Sequence, residues 1–475
     1  MPSFALLALS LTSDVAISTT IRPTQLLSFV ESIVASTTSP LSIFNAHLCV
    51  DYRHRYHAVR GLVKDPQLLH RLITQRPLLL PLCRRLSIRC TEDRTIYGDT
   101  VPYAGDYTAF FDFARYFTKA TSFHLAGVDG QKEAWLLLQA VLSNFSGLNE
   151  VELTSTWLAL RLDKLVKILA EEDSGSPPLS LRSLLLDEVS RNCGEKALRL
   201  LRSCQGTSSI KILKLRDFLQ TQTVLSDLVK WPKALEVFDL QYIYTLASCG
   251  HQQPGVMGLY TEWSLQTLQP ILELHKRTLR AITIRGLNKS GLTGFDVRGV
   301  SNLRELYLSD GVTGRDEMTM NLIQCLLAPN LRVFHWNLTL EDQEHSEELG
   351  SFAQWEEDFL RCFATEAVRK ACPLHILRLT FNPIHSTLNE ISLYPWDHMD
   401  KLDHEFREHG WDVRLEYNQP SITREAFKKE MRRVRGEDVE ETDWHDNDNY
   451  DVFSDPRSRT RCCDREYGSR FLETL

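Results

Sequence analysis

The chain is 475 residues long, 43% hydrophobic and 24% charged, with a formal net charge of −8 and a pI near 6.0. That is enough apolar chain for a large core in two or three domains or in one elongated array, and it excludes a whole-molecule cationic field for nucleic acid or anionic membrane. Its eleven cysteines, at 49, 83, 90, 193, 204, 249, 325, 362, 372, 462 and 463, include no Cys-x-x-Cys pair, so neither a zinc ribbon nor a thioredoxin-type site is written.

The first apolar run, Phe4–Leu11, is far shorter than the roughly 20 residues a membrane span needs. No Lys or Arg precedes it, the first being Arg22, so it is expected to be a buried helix rather than a signal segment. The expected location is therefore cytoplasmic or nuclear, where the cysteines stay reduced and the sequons at Asn144, Asn288 and Asn337 go unused. Residues 1–50 carry only Asp14, Arg22 and Glu31 as charges and read as short helices over 4–11 and 24–36, the second following Pro23 and capped by Thr24. Residues 52–76 read as a basic helical stretch that ends at Pro77.

From there a short phrase recurs: apolar-x-x-apolar-x-apolar, usually with a charge at its second position. It begins at Cys83, Ala120, Leu148, Leu181, Ile210, Leu235, Leu279, Leu303, Leu331 and Leu374, giving spacings of 37, 28, 33, 29, 25, 44, 24, 28 and 43. Leucine-rich repeats run about 20–29 residues, each with one short strand and a return segment. Apolar residues at helical spacing fill the returns, as in Gln131–Leu142, Leu158–Ala170, Leu265–His275, Met318–Leu327 and Phe352–Lys370. The predicted fold is an α/β leucine-rich-repeat solenoid of irregular repeats, with parallel strands and helical returns, over 51–420. One strand–helix unit cannot bury its apolar face alone, whereas a stack shares one core. Strand side chains alternate, so the residue between the last two apolar positions is expected on the concave surface. Those residues are Ser87, His124, Glu152, Leu185, Lys214, Asp239, Thr283, Tyr307, His335 and Arg378, a chemically mixed set that suits a protein-binding surface.

Near the end, Val413–Tyr417 reads as a last strand and Thr423–Val434 as a basic helix, with 421–436 a unit of its own. The remaining stretch, 437–475, opens with eight carboxylates between Glu437 and Asp451 and is expected to be a solvated, disordered tail. Charge pairing between the basic helix and this run is the simplest account of both.

The layout resembles the F-box/leucine-rich-repeat proteins abundant in filamentous fungi. The likeness covers roughly residues 50–425. It rests on Gln75-Arg-Pro-Leu…Cys-Arg-Arg-Leu-Ser-Ile88, Ala328-Pro-Asn-Leu-Arg-Val-Phe-His-Trp through Glu347, and Tyr394-Pro-Trp-Asp-His-Met-Asp400. In that family a small helical F-box precedes the repeats and binds the Skp-type linker of cullin–RING ubiquitin ligases. Here Phe4–Ser13 resembles the box's middle helix, while its opening Leu-Pro and first helix have no counterpart. The resemblance implies a residual F-box-like segment over 1–50, with Leu6, Leu7, Leu9 and Leu11 as linker contacts. It further implies a substrate-recognition role in an Skp–cullin–F-box ligase, with an unidentified protein as substrate. The alternative is a repeat adaptor outside any ligase. Neither membrane nor nucleic acid is an expected partner.

No P-loop, dinucleotide-binding turn or nucleophile elbow occurs. His404-Glu-Phe-Arg-Glu-His409 comes nearest to a zincin motif, but its histidines are five apart and so about 140° around a helix from each other, which prevents them from sharing one metal. Asp443–Asp451 lacks the central Gly and closing Glu of a calcium loop. No cofactor, metal or catalytic residue is expected.

Overall fold

A computed structural model describes residues 83–90 and, with gaps, 119–434, together with the strand backbone at 10–11, 15–16 and 46–52. The longest gaps are 171–180, 242–262, 339–351 and 382–394. Twelve strands form one sheet in strict chain order, every neighbouring pair parallel. They are β3 Ala46–Tyr52, β4 Cys83–Cys90, β5 Ser122–Ala126, β6 Glu150–Thr154, β7 Ser183–Asp187 and β8 Ile212–Arg216, then β9 Val237–Gln241, β10 Ala281–Arg285, β11 Glu305–Ser309, β12 Val333–Asn337, β13 Ile376–Thr380 and β14 Arg414–Tyr417. A separate two-residue antiparallel ladder joins β1 (Ser10–Leu11) to β2 (Val15–Ala16).

All ten phrases are strands, and from β5 to β13 each strand starts two residues after its phrase does. The first apolar residue closes the turn before the strand and is buried: Leu148, Leu181, Ile210, Leu235, Leu279, Leu303, Leu331 and Leu374 are 4% exposed or less. The second residue extends the ladder, its N–H bonded at 2.7–3.0 Å to the carbonyl of its counterpart one repeat earlier, from Asn149 through His375. The fourth and sixth positions point into the core. Phe123, Val151, Leu184, Leu213, Phe238, Ile282, Leu306, Phe334 and Leu377 form one continuous buried row.

The returns are helices α1 (Lys132–Asn144), α2 (Leu162–Ala170), α3 (Glu195–Ser203), α4 (Gln222–Lys230), α5 (Leu265–Leu272), α6 (Met320–Leu326), α7 (Gln354–Arg369) and α8 (Pro395–Glu408). α4 is capped by Thr221, and α5 by a Ser264–Thr267 box. The short repeat between β10 and β11 has no described helix. Instead, Leu292, Phe295, Val297 and Val300 plug the core from an irregular segment. Gln269 pins that segment by donating Nε2–H to the Asp296 carbonyl at 2.8 Å and accepting the Asp296 N–H at 2.9 Å. Gly294 turns there at φ +77°, where a Cβ would meet Gln266 Cγ at 3.0 Å. In the last repeats the core turns aromatic: Phe334 stacks on Phe363 at 4.6 Å, and Trp336 meets Phe359 edge-on at 4.7 Å.

Two sequence expectations change. The sheet begins at Ala46, ahead of the boundary placed at 51, because β3 pairs with β4 through a register shift at Ala46/His47. One residue is missing from the phrase there, which hides it from a pattern search. Of the stretch expected as a helix over 4–11, Ser10–Leu11 is strand, paired with Val15–Ala16, where β-branched Val15 favours extended chain, and 4–9 lie outside the described residues. The basic helix α9 (Arg424–Val434) forms as expected and has ion pairs to α8, Arg424 to Asp400 at 2.9 Å and to Asp397, and Lys428 to Asp397 at 3.9 Å, while its expected pairing with the acidic run lies outside the described residues. The helix expected over 24–36, nearly all of the 52–76 stretch and the tail from 437 lie outside the described residues.

Candidate functional site

The residues chosen from between the last two apolar positions form one row across the face of the sheet that points away from the core. Ser87, His124, Glu152, Leu185, Lys214, Asp239, Thr283, Tyr307, His335 and Arg378 are register partners one after another. Cys49 and Glu416 continue the row at its two ends. Neighbouring strands are about 4.8 Å apart, which sets the pitch of the row. His124, Glu152 and every described member from Lys214 onward are half-buried, and Leu185 is 9% exposed. The Ser87 side chain lies outside the described residues.

Contacts divide the row in two. At its start His124 Nε2 lies 3.7 Å from Glu152 and 3.4 Å from Thr154 Oγ1. At its end two sets of contacts together cross five strands. The Arg285 guanidinium sits over the Tyr307 ring at 4.6 Å, and the His335 ring meets Tyr307 edge-on at 4.2 Å. His335 Nε2 lies 2.7 Å from Thr380 Oγ1, and Arg378 donates to Glu416 Oε2 at 2.7 and 3.1 Å. Burial, with help from the Arg378 and Arg285 charges, pushes the His335 pKa down to about 3. His335 is therefore neutral at physiological pH and presents hydrogen-bonding nitrogens and ring surface rather than charge.

A second row, which the sequence reading did not single out, runs beside the first at the third phrase position. Its first members, Arg85, Ser122, Glu150 and Ser183, are polar, and from β8 to β13 it is mostly apolar: Ile212, Val237, Ala281, Val333 and Ile376, with Glu305 between Ala281 and Val333. Burial raises the Glu305 carboxyl, against the lowering effect of Arg378 and Arg304. The same alternation that selected the fifth position selects the third, so this row was legible by extending the rule. Val237 and Ala281 are buried, 9% and 8% exposed, while Ile212, Val333 and Ile376 are half-buried. The open face thus offers an apolar strip beside a line of polar and aromatic groups, an arrangement that fits binding of another macromolecule.

Leu11 is a strand residue of β1, while Leu6, Leu7 and Leu9 lie outside the described residues. His404 and His409 are both on or beside α8 and do not converge: His404 pairs with Glu408 at 3.1 Å, and His409 packs on Trp411. Among the described residues no group of three or more His, Cys, Asp or Glu could hold a metal ion. The described cysteines 204, 325, 362 and 372 are free and half-buried, and burial pushes the Cys372 thiol up. No helix among the described residues is long and apolar enough to cross a membrane.

Parallel strands in chain order with helical returns, open along one face, define a leucine-rich-repeat-like α/β solenoid. No family model and no curated protein matches the chain. Among solved structures, a TLR13–ssRNA13 complex is similar at 14% identity with a TM-score of 0.32, over 64% of this chain and 40% of that one. The chain thus spans well under half the length of that structure.

Proposed function

We propose that this chain is a protein-interaction scaffold with no catalytic step of its own, and that the central row of its open face seats a protein partner. One observation carries this reading: a single unbroken register row presents a different half-buried group on almost every strand. Such a row recognises a shape and an order of groups rather than a repeated ligand. Tyr307, Arg378 and Lys214 supply the aromatic and cationic anchors that dominate binding energy at such surfaces. The test is a tagged pull-down comparing the intact chain with Lys214→Ala/Tyr307→Ala/Arg378→Ala. Partners retained by the first and lost by the second, with circular dichroism unchanged, support the reading. Identical partner sets refute it.

The finer reading follows from the resemblance to F-box/leucine-rich-repeat proteins: a substrate-recognition subunit of an Skp–cullin–F-box ligase, acting in cytoplasm or nucleus. There the linker docks at Leu6, Leu7, Leu9 and Leu11, and other subunits transfer ubiquitin to the protein held on the open face. The strand at Ser10–Leu11 favours the alternative, a repeat adaptor outside any ligase. Co-purification of the Skp-type linker with the intact chain, abolished by Leu7→Asp/Leu9→Asp, supports the ligase reading. Its absence from a folded preparation supports the adaptor.

A further inference from the structure

The second residues of the phrases make a row of their own along the edge where the strands begin. Arg182, Lys211, Glu236, Arg280, Arg304 and Arg332 are linked backbone to backbone at 2.7–2.8 Å. Five cations and one carboxylate therefore lie along about 24 Å of a protein whose formal net charge is negative. Glu236 is already engaged, with Lys211 Nζ at 2.6 Å and Arg280 Nη1 at 3.5 Å. Burial would raise its carboxyl, but the Lys211 hydrogen bond and the Arg280, Lys211 and Arg182 charges hold it below the usual range. Arg182 and Arg332 are exposed and Arg304 is half-buried. Among the described residues none of these three has a carboxylate at ion-pair distance. The row therefore keeps cationic capacity beyond what Glu236 uses.

The complementary charge is in the same chain. Glu437–Asp451 carries eight carboxylates and no Lys or Arg, so it accounts for the whole formal net charge of −8 and leaves the other residues balanced. On α9, Arg424 and Lys428 are bound to Asp397 and Asp400 of α8, while Lys429, Arg432, Arg433 and Arg435 lie between them and the acidic run and compete with the edge for it. Fifteen residues reach about 50 Å when extended, roughly twice the length of the row. We propose that Glu437–Asp451 lies along the cationic edge of the sheet, as an internal occupant that any external acidic segment must displace. This proposal is independent of what the open face binds.

The probe is a fluorescent peptide of residues 437–451, its anisotropy followed against three versions of the full chain. One is intact, one has its eight tail carboxylates changed to Asn or Gln, and one adds Arg304→Gln/Arg332→Gln to that change. The neutralised-tail chain should bind the peptide about tenfold more tightly than the intact chain does, and the two rim substitutions should cost about tenfold. Binding should also collapse at about 1 M salt, where the Debye length is about 3 Å. Equal binding by the intact and neutralised-tail chains overturns the proposal, as does no binding by either or undiminished binding after the rim substitutions. A larger loss from Arg432→Gln/Arg433→Gln than from the rim pair would place the segment on α9 and overturn it too.

Discussion

Glu357→Gln should loosen the joint between α7 and α8 and should do so in a pH-dependent way. Glu357 is fully buried, yet it accepts hydrogen bonds from His398 Nδ1 at 2.6 Å, from Lys401 Nζ at 2.9 Å and from Arg361. Arg361 in turn donates to Glu405 at 2.8 and 3.0 Å, so one carboxylate and one guanidinium stitch the two helices together. Burial alone would raise the Glu357 pKa, but the His398, Lys401 and Arg361 bonds outweigh it and bring the value down to about 2 from an ordinary 4.5. By linkage this corresponds to about 3 kcal/mol of stability, within the range seen when one partner of a buried ion pair is removed. Because the folded-state pKa is depressed, the contribution is complete above pH 4.5 and is lost as the pH falls towards 2. Urea titrations of the intact chain and of Glu357→Gln, followed by the fluorescence of the nearby Trp355 and Trp396, should differ by about 3 kcal/mol at pH 7, with more than half of that difference gone by about pH 3. A difference below about 1 kcal/mol at pH 7, or one that does not change down to pH 3, refutes the network as a source of stability.

Gln269→Ala removes both bonds that hold the Asp296 segment and should cost about 1–3 kcal/mol, with amide exchange accelerated around residues 292–300 and little changed at β6. Trp336→Ala empties the centre of the aromatic cluster and should cost about 3–5 kcal/mol by chemical denaturation. His275 is buried, with Nε2 2.7 Å from the Val229 carbonyl and Nδ1 accepting the Leu235 N–H at 3.3 Å. Burial lowers its pKa, so its neutral form is the folded one and its stability contribution is lost as the pH falls below 6.5. His275→Phe should lower stability at pH 7 by about 1–3 kcal/mol and flatten the decline between pH 7 and 5, measured by denaturant titration across that range.

How far the fold was legible depends on where the repeat puts its information. Leu279, Ile282 and Ile284 face one shared core, so their chemistry must recur at fixed offsets, and recurrence is what a single sequence displays. The strands and the identity of the open row followed from that alone. The β3 strand did not, because its register shift at Ala46/His47 removes a position from the phrase. The bounds of short returns such as α3 (Glu195–Ser203) and α4 (Gln222–Lys230) are less legible, because a period of 3.6 is poorly sampled in nine residues.

The functional groups are legible to a different degree, because their positions repeat while their chemistry does not. That Tyr307 and His335 are neighbours on one face follows from phrase spacing, but the approach of Arg285 and Thr380 to them depends on the next row along each strand. The Glu357 network lies further from view, since its partners sit 4, 41 and 44 residues away on two helices whose faces the phrase does not encode. The cationic edge is intermediate. A charge at the second phrase position is visible in the sequence as a habit of single repeats, yet only parallel in-order stacking turns Arg182, Lys211, Arg280, Arg304 and Arg332 into one line. In a solenoid, any exposed position that is merely tolerant of charge becomes a continuous electrostatic feature once the repeats stack. A bias too weak to notice in one repeat can thus set what the whole edge attracts.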